Sequence, residues 1–282
     1  MQETERAVVA PRYASILVAV DEPASSSKAR VKLAAELAKR FDSRLLGCAA
    51  EPLEIMPVLE PMGIGLNELV EADRKRIDAR LAKAKELFFA EADSTVESEW
   101  RQQCASMAEW IVQQSRGADL IVTGGLHGVE GAAATQMLWD AGDILLRSGR
   151  PVLFVPAKVA HLSAKRIVVG WKDTREARRA IQDALPLLAG AEHVTLLSVG
   201  KELHGAQEVV SYLEWQGVKA TCAARPAPEA DAAATLLQFA SVQDADLVVC
   251  GGYGHGRTRE WLFGGVTRDL LHRAEICCLL SH

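Results

Sequence analysis

The chain repeats one pattern twice, and that duplication limits what it can fold into. Ala118-Asp119-Leu120-Ile121-Val122-Thr123-Gly124-Gly125 returns as Ala245-Asp246-Leu247-Val248-Val249-Cys250-Gly251-Gly252. Ser15-Ile16-Leu17-Val18-Ala19-Val20-Asp21 is echoed by Arg166-Ile167-Val168-Val169-Gly170-Trp171-Lys172, and Asp143-Ile144-Leu145-Leu146-Arg147 by Asp269-Leu270-Leu271-His272-Arg273. The echoes keep their order, so the 282 residues read as two tandem domains, 1–157 and 165–282, joined by the polar stretch around Pro156–Ala164. The Ser15 echo is offset by 151 residues and the Ala118 echo by 127, so the first copy holds about 24 extra residues between them. A Pro-, Gly- and Met-rich insertion near 51–65 and a long helix near 67–91, against a shorter one near 202–216, accommodate them.

Within each copy, short β-branched runs alternate with helical patterns. Strands are expected near 15–20, 43–49, 95–101, 118–124 and 151–155, and again near 166–171, 193–199, 218–223, 245–250 and 276–280. Runs such as Ile16-Leu17-Val18-Ala19-Val20 are apolar on both faces, which requires helices on both sides of a parallel sheet. Aromatic residues are only 5% of the chain, so Ala, Val and Leu fill the core. The expected fold is α/β: two tandem doubly wound domains, each a five-stranded parallel sheet flanked by helices.

Several functions are excluded at this level. A net charge of −5 gives no basic face for nucleic-acid phosphates. No apolar run approaches the ~18 residues of a membrane helix, and the acidic Met1–Arg6 segment lacks a signal-peptide layout, so a cytoplasmic protein is expected. The six cysteines form no Cys-x-x-Cys and sit mostly in apolar runs, as buried hydrophobes do; no metal site is expected. There is no Ser-His-Asp order, no paired carboxylate site and no His-Glu-x-x-His, and no catalytic residue is assigned.

Open parallel sheets bind ligands beyond the carboxyl ends of their strands. After the fourth strand of copy two, Gly251-Gly252-Tyr253-Gly254-His255-Gly256 runs on to Phe263-Gly264-Gly265-Val266-Thr267 before a helix. Such glycines let backbone N–H groups converge on an anion at a helix N-terminus, or simply allow close loop packing. His255, like His127 in copy one, either donates to a ligand or caps the loop backbone.

Gly251-x2-Gly254-x9-Gly264 resembles the Gly-x2-Gly-x9-Gly-Ser/Thr motif of the universal stress proteins. The five-strand α/β pattern, the Ala-Asp-Leu-Val-Val approach to the loop and the tandem layout are also similar to that family, from about Ser15 to Leu280. The resemblance implies ATP, with Mg²⁺, held by its phosphates and ribose at this loop, and an Asp after strand one reading the adenine. It also implies that the last strands of the two copies, Val152–Val155 and Ile276–Leu280, pair antiparallel. Both are apolar and would otherwise be exposed edges. A homodimer of the whole unit is expected in addition.

Each copy keeps a different part of the signature. Copy two supplies Gly251, Gly252, Gly254, His255, Gly264, Gly265 and Thr267, but Gly265 stands where the motif has Ser or Thr, with Thr267 the nearest hydroxyl. Trp171 stands where the adenine-reading Asp would be, with Asp173 two residues later; there it stacks on a base or, as expected, fills the pocket. Copy one has Asp21, Gly124 and Gly128, but its closing glycine pair is replaced among Met137, Leu138 and Trp139, and Glu130 adds negative charge. Asp173, Arg175 and Glu176 read as an N-cap and solvated first-turn charges. The leading reading is a non-catalytic, nucleotide-sensing stress-response protein with at most weak ATPase activity. Its rivals are a nucleotide-free dimeric scaffold and a phosphate-cleaving enzyme of the adenine-nucleotide hydrolase-like group.

Overall fold

The computed structural model describes residues 11–21, 24–53, 66–126, 129–203, 205–252 and 265–282. The first half contains β1 (Ser15–Ala19), α1 (Ala24–Phe41), β2 (Arg44–Ala50), α2 (Leu66–Glu91), β3 (Ser98–Gln103), α3 (Met107–Gln114), β4 (Leu120–Gly124), α4 (Gly131–Arg147) and β5 (Val152–Val155). The second contains β6 (Arg166–Trp171), α5 (Arg175–Leu188), β7 (His193–Val199), α6 (Ala206–Trp215), β8 (Ala220–Arg225), α7 (Ala232–Val242), β9 (Leu247–Gly251), α8 (Gly265–Arg273) and β10 (Cys277–Ser281).

All ten strands form one sheet in the order β3-β2-β1-β4-β5-β10-β9-β6-β7-β8. Read outward from the middle, each half runs through the same order, and every pairing within a half is parallel. At the centre β5 and β10 pair antiparallel, with Phe154 opposite Cys278, Leu153 opposite Leu279 and Val152 opposite Leu280. The two apolar strands expected to need cover thus cover each other.

Alternation along the strands sends Ile16, Val18, Ile167 and Val169 to one face, under α1, α2, α5 and α6. Leu17, Ala19, Val168 and Leu197 go to the other, under α3, α4, α7 and α8. Small residues such as Ala34, Ala38, Ala180 and Ala184 let the helices lie close on the sheet, as the low aromatic content requires.

The repeated Ala-Asp-Leu has a structural cause. Asp119 Oδ2 accepts from the N–H groups of Ala14 and Ser15, at 2.8 and 3.1 Å, where β1 opens. Asp246 does the same for Lys165 and Arg166 before β6, and also accepts from the Ser163 hydroxyl. In each copy the strand-four Asp fixes the start of strand one.

Three boundaries differ from the sequence reading. Strand β3 starts at Ser98 rather than near 95, because Asp93 Oδ1 accepts from both the N–H and the hydroxyl of Thr95 and turns the chain there. Helix α4 starts at Gly131 rather than near 136, and Gly131 has the positive φ of 69°. The linker is docked rather than merely polar: Leu162 and Ala164 are buried, and Arg40 donates to the Ser163 carbonyl at 2.9 Å. Helix α2, with 26 residues against 10 for α6, holds much of the extra length of copy one; residues 54–65 of the expected insertion lie outside the described residues.

Two outcomes follow. Asp246→Ala removes charge-assisted bonds to strand-opening N–H groups and should lower stability in urea unfolding by about 1–3 kcal/mol; a change below about 0.5 kcal/mol would contradict that role. Burial pushes the thiols of Cys48, Cys250 and Cys277 up to about 12, while Cys104 is exposed. A thiol reagent near neutral pH should therefore label Cys104 first and Cys48, Cys250, Cys277 and Cys278 only on unfolding. Mass spectrometry of labelled peptides would read the order.

Candidate functional site

Strand order reverses between β1 and β4 in the first half and between β6 and β9 in the second, so each half has a crevice at those carboxyl ends. The two crevices are built differently.

In the first half, Asp21 follows β1 and Gly124 ends β4. Helix α1 delivers Ser27 and Arg30 between them. Arg30 Nη2 donates to Asp21 Oδ1 at 2.5 Å and to Ser27 Oγ at 2.7 Å, and Ser27 Oγ accepts from the Asp21 N–H at 3.0 Å. The Arg30 side chain is only 2% exposed and Asp21's is 32%. Arg30 Nη1 lies 2.5 Å from where a Cβ on Gly124 would stand, so glycine there makes room for the guanidinium. The Nε of Arg30 is buried without a partner among the described residues, a cost of about 1–3 kcal/mol that holds only in a rigid setting. Beside this cluster a pocket of about 80 Å³ is lined by Val20, Ala49 and Leu81 and by Asp21, Glu51 and Arg80. That is well below the roughly 300–1,000 Å³ of ordinary small-molecule sites.

In the second half the register corrects the sequence reading of Trp171. Ile16 pairs with Leu120 and Ile167 with Leu247, so Ile16 and Ile167 hold equivalent places. The counterpart of Asp21 is therefore Lys172, and Trp171 answers to Val20. Trp171 is 4% exposed and packs in the core, as a pocket-filling ring does. Thr174, not Asp173, caps α5, its Oγ1 accepting from the Ala177 N–H at 3.3 Å; Asp173 pairs with Arg178 instead. Glu176 is buried, not solvated. Burial alone would raise its pKa, but its own backbone N–H, Arg175, Thr174 and His282 outweigh that and hold it below the usual range. An ionised carboxylate therefore sits at the positive end of α5, against β9.

Gly251 and Gly252, where β9 ends, serve packing. A Cβ on Gly251 would meet the Ala177 nitrogen at 2.6 Å, and one on Gly252 would meet Leu145 of α4 at 2.6 Å. Gly251 thus seats α5, and Gly252 seats a helix of the other half. Around Gly265, at the start of α8, no atom of the described residues lies within 4 Å of a Cβ position. Thr267 is buried in the first turn of α8. The hydroxyls of Ser198 and Ser281 are buried without partners among the described residues, and Ser281 stands opposite Gly251. Gly254, His255 and Gly264, together with Arg257 and Arg259, lie outside the described residues, as do His127 and Gly128. In the first half, Leu138 is a core residue of α4, which explains why no glycine pair stands there.

Arg30, Ser27, Glu176 and His282 are site residues that the sequence reading missed. Ser27 and Arg30 lie one helical turn apart, a spacing that puts both on one face, but nothing in sequence aims that face at Asp21. His282 Nδ1 lies 3.2 Å from the Gly252 carbonyl, a contact made only because β10 returns beside β9. A larger groove of about 550 Å³ opens at the opposite edge of the sheet, among Arg166, His193, Thr195, Glu214, Lys219 and Gln243, far from either crevice. Among the described residues no cluster of His, Cys, Asp or Glu is arranged to hold a metal ion, and no helix is long and apolar enough to cross a membrane.

Comparison with known proteins agrees with this architecture. Residues 228–282 match the universal stress protein family. Over 95% of each chain, the structure is similar to a universal stress protein from Archaeoglobus fulgidus DSM 4304, at TM-score 0.71 and 13% identity. It is also similar to a functionally unknown protein from Pseudomonas aeruginosa PAO1, at TM-score 0.53 and 17% identity, covering 95% of this chain and 92% of that one. No curated protein matches the sequence. The likeness to the universal stress proteins is thus one of sequence over residues 228–282 and of fold over both halves.

The Asp21–Arg30 pair can be isolated by a double-mutant cycle. Asp21→Asn leaves the buried guanidinium of Arg30 without its counter-charge and should cost about 2–4 kcal/mol, whereas Arg30→Met costs less because a third of the Asp21 side chain it leaves behind meets water. The double variant should lose less than the two singles together, with a coupling of about 1–2 kcal/mol in urea unfolding. Strict additivity would show that the two side chains are neighbours without interacting.

Proposed function

We propose that this is a non-catalytic, cytoplasmic stress-response protein that senses a phosphate-bearing small molecule, with ATP and Mg²⁺ the first candidate. The ligand is held by the second half at the loop from Gly251 through Gly254 and Gly264 to α8. In this reading residues 1–157 form one domain and 165–282 the other, and the response passes through their shared sheet. The observation that carries it is the contrast at strand four. In the first half the buried guanidinium of Arg30 already fills the space over Gly124. In the second, the loop ends at an exposed Gly265 at the positive end of a helix, with no atom of the described residues within 4 Å of its Cβ position.

Several features keep the affinity low. Gly265 offers no hydroxyl, and a hydrogen bond to a charged phosphate is worth about 1.5–3 kcal/mol. Trp171 fills the place beside the base, Lys172 replaces the acceptor carboxylate, and Glu176 puts a negative charge near the glycine strand end. The buried ring of Trp171 and the packing roles of Gly251 and Gly252 favour one competing reading, a nucleotide-free scaffold.

Calorimetric titration with ATP and Mg²⁺ separates the two. The expected result is a Kd above about 1 μM for the wild type, abolished in Gly254→Val and tightened about tenfold in Gly265→Ser, where the added Cβ meets no atom of the described residues. Absence of binding in both the wild type and Gly265→Ser would leave the scaffold reading. ATP turnover above background would overturn the non-catalytic one.

A further inference from the structure

We propose that the groove at the amino-terminal ends of β6, β7 and β8 is where two copies of this chain associate, each burying Trp215 in the other's groove. This surface lies at the edge of the sheet opposite the crevices, and its argument is independent of any ligand.

The first observation is what the β5–β10 ladder uses up. The two apolar strands that would otherwise be open edges are paired with each other inside one chain, so they are not available to a second copy. An association between copies has to use other surface.

The second observation is where the exposed apolar surface lies. Single exposed hydrophobics are ordinary on soluble proteins and mean little alone. Here the two most exposed large ones among the described residues, Trp215 at 90% and Val242 at 72%, each stand next in the chain to a residue that lines this groove. Trp215 is the chain neighbour of Glu214, and Val242 of Gln243, and both neighbours line it. Trp215 ends α6, and its position is fixed. Gly217 takes a φ of 76°, and the Gln216, Gly217 and Val218 N–H groups cap the helix on Leu213 and Glu214. An almost fully exposed indole on a fixed stretch of backbone is the residue type that most often anchors an interface.

The third observation is charge. Glu214 and Lys219 border the groove, and neither has an ion-pair partner among the described residues. In a twofold arrangement a surface meets itself, so residue i touches j while j touches i. A patch that carries one unpaired acid and one unpaired base a few residues apart is complementary to its own copy. Glu214 of one copy faces the partner's Lys219, twice. The groove, at about 550 Å³, has room for an indole, and Arg166 along its wall offers a guanidinium for the ring face.

Sedimentation equilibrium of the full chain tests this. The wild type should be dimeric at about 100 μM and dissociate on dilution. Trp215→Ser should raise the dimer Kd by about thirtyfold or more. Glu214→Lys and Lys219→Glu should each weaken the dimer, and the double reversal Glu214→Lys/Lys219→Glu should restore it. These side chains are exposed, so circular dichroism and the melting temperature should stay as in the wild type. A wild type that remains monomeric at about 100 μM, a dimer indifferent to all three single substitutions, or a double reversal no better than the singles would each overturn the proposal.

Discussion

The rest of the molecule depends on one backbone ladder, the antiparallel pairing of β5 with β10. Four of its residues, Leu153, Phe154, Cys278 and Leu279, are at most 2% exposed, with helices above and below. Without this ladder each half would present a fully apolar strand as an open edge, the surface that proteins most need to hide. With it, two five-stranded sheets become one of ten strands, and the helices beside the junction cross over. Leu145 of α4 lies against Gly252, and the Leu126 N–H reaches the Leu271 carbonyl of α8 at 3.3 Å. The first glycines after strand four therefore belong as much to the seam between halves as to any ligand.

That dual use explains why the crevices have diverged. Both occupy the switch point of the same topology, where backbone from two strands parts and a ligand has room. One is filled by a guanidinium held on a carboxylate and a serine hydroxyl. The other is flanked by a buried indole and a buried carboxylate. A cation in one and an anion in the other suit different chemistry, although the strands beneath them superpose residue for residue. Packing at Gly124, Gly251 and Gly252 accounts for those glycines without a ligand, so the weight of the functional proposal falls on Gly254, Gly264 and the open start of α8.

The fold was legible in the sequence because its signals are local and repeated. Runs such as Ile16–Val20 and Leu247–Cys250 are apolar on both faces, and the echoes fixed the number and order of the strands. The antiparallel junction came from a family resemblance, since apolar strands alone name no partner. The site was far less legible. Arg30 reads as one more cation in an amphipathic helix, and only the packing of α1 over Gly124 turns it inward. Glu176 reads as a solvated first-turn acid, and its burial depends on β9 and the last residue of the chain. The one-residue displacement at Trp171 is of another kind. The echo of Ser15–Asp21 in Arg166–Lys172 sets Lys172 opposite Asp21, and the register against β4 and β9 decides for it over Trp171.

Covalent fusion of the two halves has a genetic consequence. In a symmetric pair of identical subunits, every substitution falls in both sites at once, so a change that helps one and harms the other is never separable. Here each site has its own codons. Arg30 can occupy one crevice while the equivalent residue of α5, Ile181, remains a core aliphatic, and Trp171 can fill the other while Val20 leaves its counterpart open. The seam also forms at a fixed effective concentration, set by a ten-residue connection rather than by the abundance of the protein. One half is therefore free to lose a function that the other retains, without loosening the sheet they share.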